Sequence, residues 1–160
     1  MTPAIRLLEQ RKVDHEILSY RHDPGAGPYG EEAARLLGLD PETVFKTLVA
    51  LLDGRPVLAM VPVSGQLDLK ALARLFRGKR AVMAPVVEAE RLTGYPAGGI
   101  SPLGQKRQLQ SAIHESAVGM DRIHVSAGRR GLELSLAPVA LIRLTGARPG
   151  AIVSRREAGY

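Results

Sequence analysis

The chain has 160 residues, of which 45% are hydrophobic, and a formal net charge of +6 at pH 7. A chain of this size and composition is expected to fold as one domain with a buried core rather than to be disordered. The absence of cysteine excludes disulfides, zinc-thiolate sites and a cysteine nucleophile. No apolar run is long enough to span a membrane and no signal peptide is apparent, so we expect a cytoplasmic protein.

The positive charge is compatible with two roles. A basic surface attracts nucleic acid phosphates, but the same residues can simply keep a protein in solution. Aromatic residues make up only 4% of the chain and tryptophan is absent, which disfavours the binding of bases by stacking. The four histidines show no metal-ligand spacing, so we predict neither a metal nor a cofactor.

Helix and turn signals predict an α+β domain. Thr2 and Pro3 form a helix start, with Ile5 and Leu8 on one face. The elements that follow are a strand at 15–20, a helix at 29–38, a turn at Asp40-Pro41, hairpin strands at 45–52 and 55–63, a helix at 69–78 capped by Asp68, a strand at 81–84, a helix at 85–94, a loop at 95–104, hairpin strands at 121–128 and 132–137, and a helix at 138–146. The hairpins favour a curved, mixed, barrel-like β-sheet surrounded by helices. We take 1–146 as a single domain and expect a polar tail at 147–160 to fray.

Lys46 is the only charged residue between Glu42 and Asp53, within an otherwise apolar strand. Strand alternation places it on the same face as Leu48, and both faces of the strand are apolar. A buried ammonium group requires a carboxylate partner, an anionic ligand or a route to solvent. The sequence pattern leaves these three possibilities open.

Two further features are compatible with either a site or an ordinary surface. Ser126 and Glu133 lie on opposite sides of a hairpin turn, which brings them near each other on a face that is either polar site or solvated exterior. The adjacent Gly98 and Gly99 allow backbone N–H groups to approach a ligand closely, as in an oxyanion hole, although a plain loop has the same composition. No G-x-S-x-G elbow, Walker A sequence or G-x-G-x-x-G fingerprint is present.

The combination of five segments resembles the YbaK family of free-standing aminoacyl-tRNA deacylases, which are related to the editing domain of bacterial prolyl-tRNA synthetases. The segments occur in the family order across about residues 3–146: "SYRHDP" (19–24), "YGEEAARLLGL" (29–39), "VFKTLV" (44–49), "GGISPLGQKR" (98–107) and "VSAGRRGLEL" (125–134). The resemblance implies a hydrolase that removes a wrongly attached amino acid from the 3′ end of tRNA. Cys-tRNA(Pro) is the substrate of this branch, and its own thiol is the implied nucleophile.

The resemblance also implies roles for individual residues. The catalytic positions are Lys46, Gly98 and Gly99, and the substrate-binding positions are Tyr20, Ser101, Ser126 and Glu133, the last of which is commonly aspartate in the family. Lys106, Arg107, Arg129 and Arg130 are expected to bind the tRNA acceptor arm, and a second basic cluster around one helix is available for the same purpose: Lys70, Arg74, Arg77, Lys79 and Arg80. The implied partners are mischarged tRNA and prolyl-tRNA synthetase.

Two alternatives stay open. The chain could be an Ala- or Ser-tRNA deacylase that uses water, because the branch is read from the 98–106 loop alone. It could also be a non-catalytic module that binds RNA or protein, although such a module has no need for both Lys46 and the Gly98-Gly99 pair.

Overall fold

In the computed structural model, which describes residues 1–25, 27 and 29–154, the chain forms five α-helices and ten β-strands. The helices are α1 (Pro3–Gln10), α2 (Tyr29–Leu37), α3 (Leu69–Leu75), α4 (Val86–Thr93) and α5 (Pro138–Thr145). The strands are β1 (Glu16–Ser19), β2 (Phe45–Leu52), β3 (Arg55–Pro62), β4 (Gln66–Leu67), β5 (Ala81–Met83), β6 (Gln110–His114), β7 (Ile123–Arg129), β8 (Leu132–Leu136), β9 (Arg148–Gly150) and β10 (Val153–Ser154). None of these helices is long and apolar enough to cross a bilayer.

The helix ends follow the local signals. The Thr2 hydroxyl accepts a hydrogen bond from the N–H of Ile5, and the Asp68 carboxylate accepts one from Ala71, so both predicted N-caps are confirmed. Gly94 and Gly146 end α4 and α5 in the left-handed conformation, which lacks a steric penalty only for glycine.

The strands divide among three sheets. A five-stranded sheet has the order β5-β2-β3-β6-β9, a three-stranded sheet has the order β1-β8-β7, and β4 pairs with β10. The large sheet is mixed, because β2 and β3 are antiparallel whereas β3, β6 and β9 are parallel. A single bridge between Val44 and His124 joins the start of β2 to β7. The α+β class and mixed pairing are confirmed. The described residues form no closed barrel, so the barrel-like shape stays a prediction.

The core occupies both faces of the large sheet. Ala50 and Leu52 of β2 pack with Leu72 of α3 on one face. Phe45 and Val49 of the same strand belong to clusters on the opposite face. This is the alternation expected of a strand that is covered on both sides, and it explains why the strand is apolar throughout.

Two parts of the fold differ from the sequence-based expectations. The segment 105–120, for which no element is predicted, supplies β6, which lies between β3 and β9. The stretch 147–154 is not a fraying tail: β9 and β10 pair with β6 and β4, and Ile152 is fully buried against the α3 side of the sheet. The prediction of a tail from 147 is therefore wrong for this stretch, because one apolar side chain and sheet pairing hold it. Residues 155–160 lie outside the described part of the chain.

Candidate active site

A cavity of about 390 Å³ lies beside the first half of β2. β5 pairs with β2 at Ala50–Leu52 and leaves the earlier residues of β2 facing this space. The apolar walls include Val49, Met83, Val86 and Ile100. The polar positions come from segments that are distant in sequence: Tyr20, Lys46, Thr47, Gly98, Ser126 and Glu133. The fold therefore brings five of the predicted site residues, Tyr20, Lys46, Gly98, Ser126 and Glu133, to a single apolar cavity.

Lys46 lies between this cavity and a second one of about 310 Å³, whose lining includes Glu31 and His114. Burial lowers the pKa of Lys46, while the negative charge of Glu31 acts in the opposite direction. α2 comes close to the strand at Gly30, where an added Cβ would lie 2.4 Å from Cγ1 of Val63 and 4.0 Å from Cβ of Lys46. The lysine is thus a partly buried cation with a carboxylate as its electrostatic neighbour.

The 95–104 loop has no regular secondary structure, but its conformation is fixed by hydrogen bonds within the loop and to Glu90 of α4. The buried Tyr95 hydroxyl donates to the carbonyl of Leu103 at 2.6 Å, and the N–H of Ala97 donates to the Glu90 carboxylate at 2.7 Å. The N–H of Leu103 also donates to the Ser101 hydroxyl at 3.3 Å. These bonds give the loop a defined shape at the cavity.

The two adjacent glycines of this loop have different roles. Gly98 has a φ of +82° and lines the cavity. Gly99 is absent from the lining, and its N–H donates to the carbonyl of Pro96 at 2.9 Å. An added Cβ at Gly99 would lie 3.0 Å from Cα of Arg129, so this glycine permits close packing of the loop on the β7–β8 hairpin. The Gly99 amide is therefore engaged within the loop, and its role in the reaction stays a prediction.

Ser126 and Glu133 are directly paired across β7 and β8, as the hairpin predicts. The Ser126 hydroxyl accepts a hydrogen bond from the N–H of Gly128 at 3.1 Å. Glu133 is only 6% exposed, which rules out the solvated exterior that the strand pattern left open. Burial raises the pKa of Glu133 to about 8. Burial also raises the pKa of Tyr20, and the neighbouring Glu133 adds to that effect.

The buried Glu32 joins three segments in a way that the sequence did not indicate. It is 2% exposed, and its carboxylate lies 2.7 Å from Nδ1 of His22, accepts from the N–H of Asp23 at 3.0 Å and lies 3.9 Å from Nη2 of Arg130. Burial acts to raise the pKa of Glu32, but the contacts with His22 and Asp23 outweigh it and lower that pKa. In sequence, Glu32 is one of two acidic residues in the first turn of a helix, a pattern typical of an exposed surface.

The remaining predicted site residues are Ser101 and four basic residues. Ser101 is fully buried inside the loop, where its hydroxyl serves the turn, and it does not line the cavity. Its predicted contact with substrate is not supported. Arg130 is held in the ion pair with Glu32, so its side chain is directed to the protein interior as well as to the surface. Lys106, Arg107 and Arg129 are exposed, and the backbone of Arg129 packs beside the glycine loop.

The second basic cluster is associated with a different part of the molecule. Lys70, Arg74 and Arg77 are exposed on and just after α3, which covers the face of the sheet opposite to Phe45 and Val49. The N–H groups of Lys79 and Arg80 donate to the Asp53 carboxylate in the β2–β3 turn. This cluster therefore lies around α3 and the β2–β3 turn, whereas Arg129 lies at the β7–β8 turn.

Known proteins match this chain over most of its length. The profile of the aminoacyl-tRNA editing domain family matches residues 24–144. EbsC of Enterococcus faecalis, whose name gives it provisionally as a Cys-tRNA(Pro)/Cys-tRNA(Cys) deacylase, is 37% identical over 145 residues that cover 90% of this chain and 88% of EbsC. The proline–tRNA ligase of Maridesulfovibrio salexigens is 32% identical over 110 residues, which are 62% of this chain and 19% of the ligase.

A solved structure gives the same assignment for the fold. A crystal structure described provisionally as a trans-editing enzyme for prolyl-tRNA synthetase superposes with a TM-score of 0.80 and 25% identity, covering 97% of this chain and 99% of the other. The resemblance found in the sequence is confirmed by the profile match and by the similarity to EbsC. The chain belongs to the aminoacyl-tRNA editing domain family.

Proposed function

We propose that this protein deacylates mischarged tRNA by cleaving the aminoacyl ester, with Cys-tRNA(Pro) as its substrate. The observation that carries the proposal is the convergence of Lys46, Gly98 and Ser126 on one cavity with apolar walls. The similarity to EbsC supports the same substrate class. A cytoplasmic location and an association with prolyl-tRNA synthetase are parts of this proposal.

The proposed nucleophile is the thiol of the substrate cysteine. The chain has no cysteine of its own, and no histidine is among the described residues that line the cavity, so Ser126 has no neighbouring imidazole base there. The thiolate sulfur would attack the ester carbonyl carbon and the bond to the 3′-oxygen would break. The products are a cysteine thiolactone and a free tRNA 3′-hydroxyl, which takes up a proton equivalent to the one that the thiol loses.

The chain would contribute position and charge. Holding the thiol and the carbonyl in attack geometry can lower the barrier by several kcal/mol, on the order of 7 or more in favourable intramolecular reactions. Among the described residues the N–H of Gly98 has no hydrogen-bond acceptor, so it can donate to the developing oxyanion. Lys46 would stabilise negative charge on the leaving 3′-oxygen or the adjacent phosphate, and Tyr20 and Ser126 would hold the substrate through their hydroxyls.

A deacylation assay with Cys-, Ala- and Ser-charged tRNA tests the proposal. We expect ester loss from Cys-tRNA(Pro), and a decrease of about 100-fold for Lys46→Ala, the size typical for the loss of one group that stabilises developing charge. Lys12→Ala, at an exposed lysine after α1 that belongs to neither basic cluster and does not line the cavity, is the matched control and should retain activity.

The alternative functions give different results in the same assay. Release of the amino acid from Ala- or Ser-tRNA but not from Cys-tRNA would contradict the thiol mechanism and favour a deacylase that uses water. Alkylation of the substrate thiol should stop cleavage while binding persists. No loss from any of the three substrates would favour a non-catalytic binding module.

A further inference from the structure

The Glu133 carboxyl is an unusual feature of the cavity. It is 6% exposed, and its Oε2 atom has no hydrogen-bond partner among the described residues. Thr47 Oγ1 is a second buried oxygen without a hydrogen-bond partner among the described residues, and Thr47 and Glu133 line the same cavity. Buried polar atoms without a partner are uncommon in folded proteins because each loses its hydration without replacement. Two of them in one cavity leave hydrogen-bonding capacity that the polar groups of a bound ligand can satisfy.

We propose that Glu133 binds the α-ammonium group of the aminoacyl ester and releases its own proton to solvent when that group enters the cavity. The inference rests on the proposed function, because it assigns one part of that substrate to this carboxyl. It adds a binding role for the charge that every aminoacyl ester carries, whatever its side chain.

The charges that line the cavity favour the ammonium over other parts of the substrate. Glu133 is the only acidic residue among the described lining residues, and Lys46 is the only basic one. The side chains of cysteine, alanine and serine are uncharged near pH 7, so the α-ammonium is the only cation on their esters. Lys46 suits the anionic end of the ligand, and the apolar walls suit a small side chain.

The surroundings of Glu133 explain why it holds a proton when no cation is present. Burial raises its pKa to about 8, and the other titratable groups among the described residues that line the cavity are Tyr20, which follows β1, and Lys46 on β2. The next residue on its face of β8, Ser135, lies away from the cavity among a separate set of charged groups: Glu16, Arg122 and His124. An entering ammonium would stabilise the carboxylate form in this desolvated position.

The proposal predicts that the number of protons exchanged on ligand binding changes sign with pH. An α-amino group has a reference pKa of about 7.7–8.0, so at pH 7 both the free amine and the empty carboxyl are mostly protonated. The bound pair of ammonium and carboxylate holds one proton in total. Binding therefore releases close to one proton at pH 7, exchanges almost none near pH 8 and takes up close to one at pH 9.

Titration calorimetry with two non-hydrolysable adenosine amides measures this exchange. One ligand carries an alanyl group on a 3′-amino-3′-deoxyadenosine, and the other carries a propionyl group, which lacks only the α-amine. Measurements at pH 7, 8 and 9, each in two buffers with different ionisation enthalpies, give the number of protons exchanged. We expect the reversal of sign for the alanyl ligand, no exchange for the propionyl ligand, and about tenfold tighter binding of the alanyl ligand at pH 7, as for a charge-assisted hydrogen bond.

A nearly isosteric variant tests the assignment to this residue. Glu133→Gln should abolish proton release at pH 7 and make the two ligands bind with similar affinity. Glu9→Gln, at an exposed carboxylate on α1 that lines neither cavity, is the control and should keep both properties. The comparison of the two ligands on the unaltered protein needs no variant and covers the case in which Glu133→Gln fails to fold.

Failure of this inference is distinguishable from failure of the proposed function. If both ligands bind to the unaltered protein with equal affinity and no proton release at pH 7, the role of Glu133 is wrong while the deacylase assignment stands. If proton release persists in Glu133→Gln, another group is responsible and the inference is again wrong. If neither ligand binds, the proposed function itself is contradicted.

Discussion

The β2–β3 and β7–β8 hairpins each bring one ionisable side chain to the same cavity, Lys46 and Glu133, but only the first hairpin is regular. β2 and β3 pair without interruption from Phe45 to Leu52, and the turn at Asp53 and Gly54 has positive φ at both residues. β7 and β8 shift register between Ser126 and Arg129. Near that shift, the fully packed Gly128 has a φ of +108°.

The difference shows how local and distant forces divide between the two hairpins. The Asp-Gly turn matches the twist of its own strands, and the Asp53 carboxylate also accepts hydrogen bonds from the N–H groups of Lys79 and Arg80. Gly128 has a different reason to be glycine, because an added Cβ would lie 2.6 Å from Cε1 of Tyr95 in the 95–104 loop. Its irregular backbone fits against that loop, and its N–H bonds to Ser126 in the cavity. The first hairpin is therefore a rigid support for Lys46, whereas the second is shaped by the loop that supplies Gly98.

The largest expected effect is a difference in stability between a substitution at Gly128 of the second hairpin and one at Gly54 of the first. Gly128→Ala combines backbone strain, about 1–3 kcal/mol, with overpacking against Tyr95, about 1–3 kcal/mol more. Gly54→Ala, whose added Cβ meets no atom within 4 Å, should cost only the strain of a left-handed alanine, about 1–2 kcal/mol. Urea unfolding of both variants measures the two losses. Equal losses would show that the Tyr95 contact has no energetic weight.

The second prediction concerns the pH dependence of stability set by Glu133. In the unfolded chain its carboxyl has ionised by about pH 5–6, whereas in the folded protein it keeps its proton up to a pKa of about 8. Unfolding therefore releases a proton in this interval, and stability should fall as the pH rises, by up to about 1.4 kcal/mol per pH unit. Glu133→Gln should remove this component. Denaturant unfolding of both proteins between pH 5 and 9 gives the difference, and parallel pH profiles would contradict the prediction.

A smaller effect is expected at Lys46. Burial of its ammonium group opposes folding, so Lys46→Met should raise the free energy of unfolding by about 0.5–1 kcal/mol while lowering deacylation about 100-fold. Lys70→Met, at an exposed position of α3, should change stability by less than about 0.5 kcal/mol. Thermal unfolding together with the deacylation assay checks both properties. A less stable Lys46→Met would show that the lysine supports the first hairpin rather than the substrate.

The smallest expected effect concerns the salt dependence of RNA binding. It is compared between one arginine beside each hairpin turn. Arg129 lies beside the glycine loop at the second turn, and Arg80 lies against Asp53 at the first. If Arg129 contacts a phosphate of the acceptor end, Arg129→Ala should reduce the slope of log affinity against log salt by about 0.7, the value for one contact to a single strand. Arg80 does not line the cavity, so Arg80→Ala should leave that slope unchanged, which would exclude it from the expected role of the second basic cluster in binding the acceptor arm. Titration of a fluorescent acceptor-stem RNA at several salt concentrations measures both, and equal changes would place the RNA elsewhere.

The site was predicted in part because its residues follow local rules. Ser126 and Glu133 are opposite one another since a short turn leaves few pairings for the strands around it. The resemblance implies a substrate-binding role for Ser101 and a catalytic role for Gly99, but the motif does not tell which of its groups are engaged within the loop. Arg130 has the same limitation, because its partner Glu32 is almost a hundred residues away in sequence.

By itself, the sequence determined the features that depend on neighbours along the chain: the caps at Thr2 and Asp68, the Asp53-Gly54 turn and the alternating faces of β2. Only the tertiary structure decided the features that depend on distant partners. The parallel pairing of β6, the burial of Ile152 and the enclosure of Glu133 are of this kind. The physical reason is that turn and cap energies are set within a few residues, whereas burial and desolvation depend on what the rest of the fold places alongside.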